Sequence, residues 1–191
     1  MPNVTVYSDK KVWTYKDYLY FPEMPYFYLE ILEGELKMVA KPIPAHQWVA
    51  SRLNTIFTEQ IENKGLGFVL QEVDVISSEK RVVAPDIVIL KKESFHIITK
   101  KNIRGIPDMV VEIVSPSTRR YDLGEKKNFY ERIGVKEYWA CDYRNKEVQV
   151  FNLKDDKFDA NTYNDIVHCV VFDIEINVGT ILNNIPFPFS Q

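Results

Sequence analysis

Only two cysteines, Cys141 and Cys169, occur in the 191 residues, and both sit in β-like runs, EYWACD and HCVVFD. That excludes a small disulfide-built scaffold and points to buried free thiols in a reducing compartment. No apolar run reaches the roughly 18 residues a membrane-spanning helix needs, so no span is expected. The opening MPNVTVYSDKKVW has no apolar signal core. A cytoplasmic protein without membrane contact is therefore expected. A net charge of −3 argues against strong non-specific binding of nucleic acid.

Apolar residues make up 46% of the chain, enough for a core without covalent staples. The length suits a single domain over residues 1–191. Charge is unevenly spread. Residues 91–136 carry eleven basic and six acidic side chains, a local +5, while both flanking regions are acidic. That middle stretch is where phosphates would be attracted.

The pattern along the chain predicts an α/β fold. WTYKDYLYFPEMP reads as a short helix, with Thr14 and Asp17 as a capping pair. YFYLEILEGELKMVA reads as an N-terminal hairpin turning at Glu33-Gly34. In AHQWVASRLNTIFTEQIENKG, Val49, Leu53, Ile56, Phe57 and Ile61 fall at helical spacing, and Gly65 lies just past the end. GFVLQEVDVIS alternates like a half-wet strand. VVAPDIVIL and DMVVEIV are nearly continuous Val/Ile runs that suit strands covered on both faces. KKESFHIITKKN between them is peripheral. SPSTRRYDLGEKKNFYERIG reads as a second helix, with Asp122 and Glu125 as its capping box and Gly134 as its stop. VKEYWACD and a β-rich C-terminal region follow, in which Tyr138 and Trp139 read as core.

Two carboxylates are out of place in this pattern. Asp86 lies in VVAPDIVIL and Glu112 in MVVEIV. A buried, ionised carboxylate costs several kcal/mol unless paired. Two on adjacent strands could share a hard cation such as Mg²⁺ or Mn²⁺. Placement at strand ends, or pairing with Lys or Arg, would satisfy them equally. Lys126 and Tyr130 are spaced i,i+4 on the following helix and share a face. Lys126 could orient a water or stabilise charge on a phosphate, or simply stand exposed above a packed tyrosine.

PDIVIL, VVEIVSPST and DLGEKKNFYERIGVKEYW, together with TYKDYL, YLEILEGEL and KPIPAHQ upstream, resemble the Uma2 family of restriction endonuclease-like proteins. The resemblance extends from Thr14 to Glu175. It implies the PD-(D/E)xK nuclease fold, a mixed central sheet flanked by helices, and Mg²⁺-dependent hydrolysis of DNA phosphodiesters with Mn²⁺ as a substitute. Carried over by position, it makes Asp86 and Glu112 metal ligands and Lys126 the catalytic lysine. The general superfamily pattern puts the lysine two residues after the second acid, where this chain has Val114. Lys126 is then a lysine migrated to the helix. Glu30, Glu35, His46 and Tyr130 match supporting positions, with Glu35 also readable as a solvated turn residue and His46 as a capping or packing residue. Asp122 matches too, but capping accounts for it. Gln71 or Glu72 could face the site. Lys101, Arg119, Arg120 and Lys127 could guide the DNA backbone. A homodimer would suit duplex cleavage. The competing reading is a non-catalytic module that binds DNA or a protein. A metal-free, glycosidase-like acid–base pair lacks any aromatic sugar platform here.

Overall fold

The computed structural model describes the backbone of residues 4–7 and all of residues 12–186. The segment read above for a signal core therefore lies partly outside the described residues. β1 (Val4–Tyr7) precedes α1 (Tyr15–Tyr18), where Thr14 and Asp17 form the expected reciprocal capping box. β2 (Phe27–Leu32) and β3 (Glu35–Ala40) form the hairpin. Its turn takes left-handed backbone at both Glu33 (φ 54°) and Gly34 (φ 83°), the geometry that matches the twist of paired strands.

α2 (Pro44–Phe57) starts with Pro at its first position and runs into a π-helical turn at Thr58–Glu62. β4 (Gly67–Gln71) and β5 (Val75–Ser78) divide the run expected as one strand. The break falls at Glu72, whose φ of 50° turns the chain out of the ladder. β6 (Arg81–Val83) and β7 (Ile87–Lys91) likewise divide VVAPDIVIL. Pro85 has no N–H to give a ladder, and the chain crosses from one sheet to another at Ala84–Asp86. β8 (Ile103–Arg104) follows the peripheral connector, then β9 (Met109–Val114).

The next helix is π-helical over Tyr121–Lys126 and continues as α3 (Lys127–Ile133). It ends at Gly134, which takes the left-handed C-cap conformation as expected. β10 (Glu137–Asp142), β11 (Glu147–Lys154), β12 (Lys157–Tyr163), β13 (Ile166–Cys169), β14 (Ile174–Asn177) and α4 (Gly179–Leu182) complete the described chain.

Among the described residues there are two six-stranded sheets and a separate β13–β14 pair. The first sheet runs β1-β3-β2-β6-β5-β8 and the second β12-β11-β10-β9-β7-β4. The second is mixed, with β9 parallel to β10 and antiparallel to β7. Side chains on β9 alternate between two cores. Met109, Val111 and Ile113 pack with Val49, Leu53 and Phe57 of α2. Val110 and Val114 pack on the opposite face with Phe129 and Tyr130. Glu112 shares the parity of Val110 and Val114, so it points to the α3 side. Tyr138 and Trp139 are fully buried, and both cysteines are buried free thiols. No helix among the described residues is long and apolar enough to cross a membrane.

Candidate active site

The crossing of the chain between sheets positions the first carboxylate. The antiparallel register pairs Ile87 with Val111, so Asp86, one residue earlier, stands beside Glu112 and Ile113. Its Oδ2 accepts a 2.6 Å hydrogen bond from the Ile113 N–H. The side chain thus fills the ladder position that the Pro85 bend interrupts. Nε2 of His46, in the first turn of α2, lies 3.2 Å from the same oxygen. Burial pulls the His46 imidazole down in pKa, but the neighbouring Asp86 outweighs it and the net shift is upward. Nδ1 of His46 is buried without a partner among the described residues.

The second carboxylate is almost completely buried. Glu112 is 3% exposed, and its Oε1 accepts from Lys126 Nζ at 2.8 Å and from the Tyr130 hydroxyl at 2.6 Å. The i,i+4 spacing on the helix brings both donors to one oxygen. Lys126 also reaches Glu30 Oε1 at 2.9 Å. Glu30, 1% exposed on β2, further accepts from the Ala84 N–H at 3.0 Å and the Tyr121 hydroxyl at 2.7 Å. The π-helical pitch explains how Tyr121 and Lys126, spaced i,i+5, both face Glu30. A regular α-helix would rotate them apart.

Asp122 does not cap the helix, contrary to the sequence reading. The helix begins before it, and the turn ahead is closed by Ser115 and Thr118, which exchange side chain-to-backbone hydrogen bonds at 3.2 Å each. Asp122 is buried inside the π-helical stretch and lines the cavity.

A cavity of about 300 Å³ collects these groups. Glu30, Asp86, Glu112 and Asp122 line it with His46 and Lys126, so four carboxyl groups face two buried bases. Burial pushes Glu112 up to about 7; Lys126 opposes that shift, while Asp86 and Glu30 add to it. Burial drives Asp122 well above the usual carboxylate range, again against the pull of Lys126. Burial alone would lower Lys126, but Glu112, Glu30 and Asp122 reverse that and raise it. Lys126 is therefore a firm ammonium, suited to stabilising negative charge rather than taking a proton.

This donor set fits a hard divalent cation. The bonds described above fall on one oxygen each of Asp86 and Glu112, so the other oxygen is the one a cation would take. Carboxyl groups outnumber the bases in the lining, and oxygen donors are what Mg²⁺ and Mn²⁺ prefer. Among the described residues, no three His, Cys, Asp or Glu side chains are gathered as a ready cage. Two protein carboxylates with the remaining positions left to water and phosphate is a common Mg²⁺ arrangement.

The other candidates are placed differently. Val114 is buried in the apolar cluster around α3. Glu35 is exposed and pairs with Lys37 at 2.9 Å, away from the cavity. Glu72 accepts from Gln47 at 2.8 Å and lines a neighbouring groove, and Gln71 is exposed. Arg119 pairs with Asp142 and lies 3.8 Å from Glu147. Lys127 sits over the Phe151 ring at 5.9 Å. Lys101 and Arg120 are exposed. Sequence reasoning missed Tyr121, which belongs to the site because it holds Glu30.

The Uma2 family profile, described as "Putative restriction endonuclease", matches residues 14–172. The chain belongs to the Uma2 family. A solved structure described as a "putative nuclease belonging to DUF820" from Anabaena variabilis is similar to this Uma2 chain. The TM-score is 0.72 at 16% identity, covering 89% of this chain and 97% of the other. That likeness shows the fold, which is restriction endonuclease-like. No curated protein matches the chain. In Uma2 terms, the family's description points to a nuclease.

Proposed function

We propose that the protein is a divalent-metal-dependent endodeoxyribonuclease that hydrolyses phosphodiester bonds at the Glu112–Lys126 cavity. The observation that carries this reading is the meeting of Asp86, Glu112 and Lys126 at one cavity with an excess of buried carboxylates. Asp86 and Glu112 would hold Mg²⁺, or Mn²⁺ in its place. When bound, such an ion supplies a more acidic water and polarises a phosphoryl oxygen.

The chain's own residues do the rest. Lys126, held protonated by its carboxylate neighbours, stabilises the charge that builds on the phosphate and orients the attacking water. Tyr130 fixes Glu112, and Tyr121 fixes Glu30, so that Lys126 is aimed from two sides. The Ile113 N–H and His46 hold Asp86 in one rotamer. Arg120, Lys101 and Lys127 contribute cationic contacts to the DNA backbone; Arg119 contributes only if substrate draws it from Asp142.

The test is cleavage of plasmid or branched DNA by the purified protein in Mn²⁺, alongside Glu112→Ala and Lys126→Ala. The reading expects metal-dependent cleavage lost in both variants. Equal rates in variants and parent would make this site wrong. The direct Lys126–Glu112 pair at 2.8 Å, which already satisfies one oxygen of Glu112 without a metal ion, favours a second reading, a non-catalytic module binding DNA or protein. Calorimetry separates the two, since that module would take up neither Mg²⁺ nor Mn²⁺ at Asp86 and Glu112.

A further inference from the structure

A second, larger groove of about 650 Å³ opens beside the cavity, and Tyr28 and Lys41 line both. Its wall comes mainly from the segment between α1 and β2. Phe21, Met24 and Phe27 line it, with Tyr18 at one side. The same segment exposes Leu19 (59%), Tyr20 (81%) and Tyr26 (74%). Exposed aromatic and aliphatic side chains are thus concentrated in the segment that builds the groove wall. The wall is fixed in place. Phe21 packs on Trp13 at 5.3 Å, the Lys41 N–H donates to the Tyr26 carbonyl at 2.9 Å, and Tyr18 donates to Asp74 at 3.1 Å.

The chemistry of the groove is selective. A duplex is held chiefly by cations on its phosphates. Among the described residues, the basic side chains lining the groove and the cavity are Lys41, His46 and Lys126, and Lys126 is held by Glu112 and Glu30. Flat apolar rings beside a single lysine suit stacked bases with one phosphate between them. Lys41 stands where the groove meets the cavity, its Nζ 5.4 Å from the Tyr28 ring. Glu23 and Glu72 also line the groove; they would repel phosphate but can accept from the exocyclic amino groups of bases.

We infer that the groove lined by Phe21, Phe27 and Tyr28 takes unpaired nucleotides, with Lys41 on the connecting phosphate, so that the substrate is single-stranded or branched DNA. This inference rests on the nuclease reading of the adjoining cavity.

The test measures fluorescence anisotropy of the full chain with a labelled single strand and a blunt duplex of equal length, without divalent metal. Cleavage of both in Mn²⁺ is followed in parallel. The parent should bind the single strand more tightly. Phe21→Leu/Phe27→Leu should weaken single-strand binding by at least roughly 5-fold, the lower end for losing one stacked base, with little change for duplex. Lys41→Gln, an exposed change that spares the fold, should lower the salt slope for single strands by about 0.7. Equal binding of both DNAs, or unchanged single-strand binding in both variants, overturns the inference. So does a homodimer that the leucine variant splits, because a second copy would then occupy the groove. Cleavage with groove-independent binding sinks the groove alone. Groove-dependent binding without any cleavage in Mn²⁺ sinks the nuclease reading and leaves the groove as a single-strand site.

Discussion

Lys126 Nζ lies 2.8 Å from Glu112 Oε1 and 2.9 Å from Glu30 Oε1, so one ammonium joins the second sheet to the first. All three side chains are at most 5% exposed. Breaking such a buried group by removing one partner leaves uncompensated charge. Lys126→Met should therefore destabilise the protein by about 3–5 kcal/mol in urea unfolding. Adding Glu112→Gln should recover part of that loss, because the two sites share one network.

The Tyr121 hydroxyl donates to Glu30 Oε2 at 2.7 Å in a buried setting. Tyr121→Phe removes the donor and leaves the acceptor buried. The expected cost is about 1–3 kcal/mol. Cleavage should also slow, since Glu30 would no longer be held for Lys126. Thermal melts and cleavage of plasmid or branched DNA in Mn²⁺ check both parts.

Lys37, 3% exposed on β3, bonds Glu125 at 2.8 Å and so ties the hairpin to the residue before Lys126. Burial pulls its pKa down, but Glu125 and Glu35 more than reverse this, and the net shift is upward. A raised lysine contributes stability that is whole below its unfolded value of about 10.4. That stability is lost as pH rises through the folded value. Lys37→Met should destabilise the chain at pH 7, and the gap from the parent should narrow on the alkaline side.

Asp108 behaves in the opposite sense. Burial pushes its carboxyl up, but hydrogen bonds from Lys136 (2.6 Å), Ser94 (2.6 Å) and the Lys91 N–H (2.8 Å) prevail and hold it below its usual value. Its stabilisation is full above the unfolded pKa of about 3.9 and is lost as pH falls through the lower folded value. Asp108→Asn should cost about 1.5–3 kcal/mol at pH 7, and the difference from the parent should shrink in acid. Denaturant midpoints measured from pH 7 downward follow it.

Much of this was legible in the sequence because local rules govern it. Glu33-Gly34 names its turn, Thr14 and Asp17 their cap, Gly134 its helix stop. Lys126 and Tyr130 declare their common face by spacing. Asp86 and Glu112 stand out because charge in a Val/Ile run needs a reason. What was not legible depends on neighbours distant in sequence. Nothing local shows that the chain changes sheets at Pro85. Nor does any local pattern announce a π-helix over Tyr121–Lys126, so Asp122 read as a cap and Tyr121 went unnoticed. Glu35 is readable from sequence as a solvated turn residue and Glu30, within an aromatic and apolar strand, is not; only the hairpin's place against the helix shows that Glu30 is a buried partner of Lys126.

The most direct test of the central claim is an anomalous difference map from crystals of the full chain soaked in Mn²⁺. The account predicts a peak in the cavity with carboxylate oxygens of both Asp86 and Glu112 about 2.0–2.3 Å away, and Lys126 still beside Glu112. A cavity without a peak at saturating Mn²⁺, or a peak that neither carboxylate touches, would contradict it.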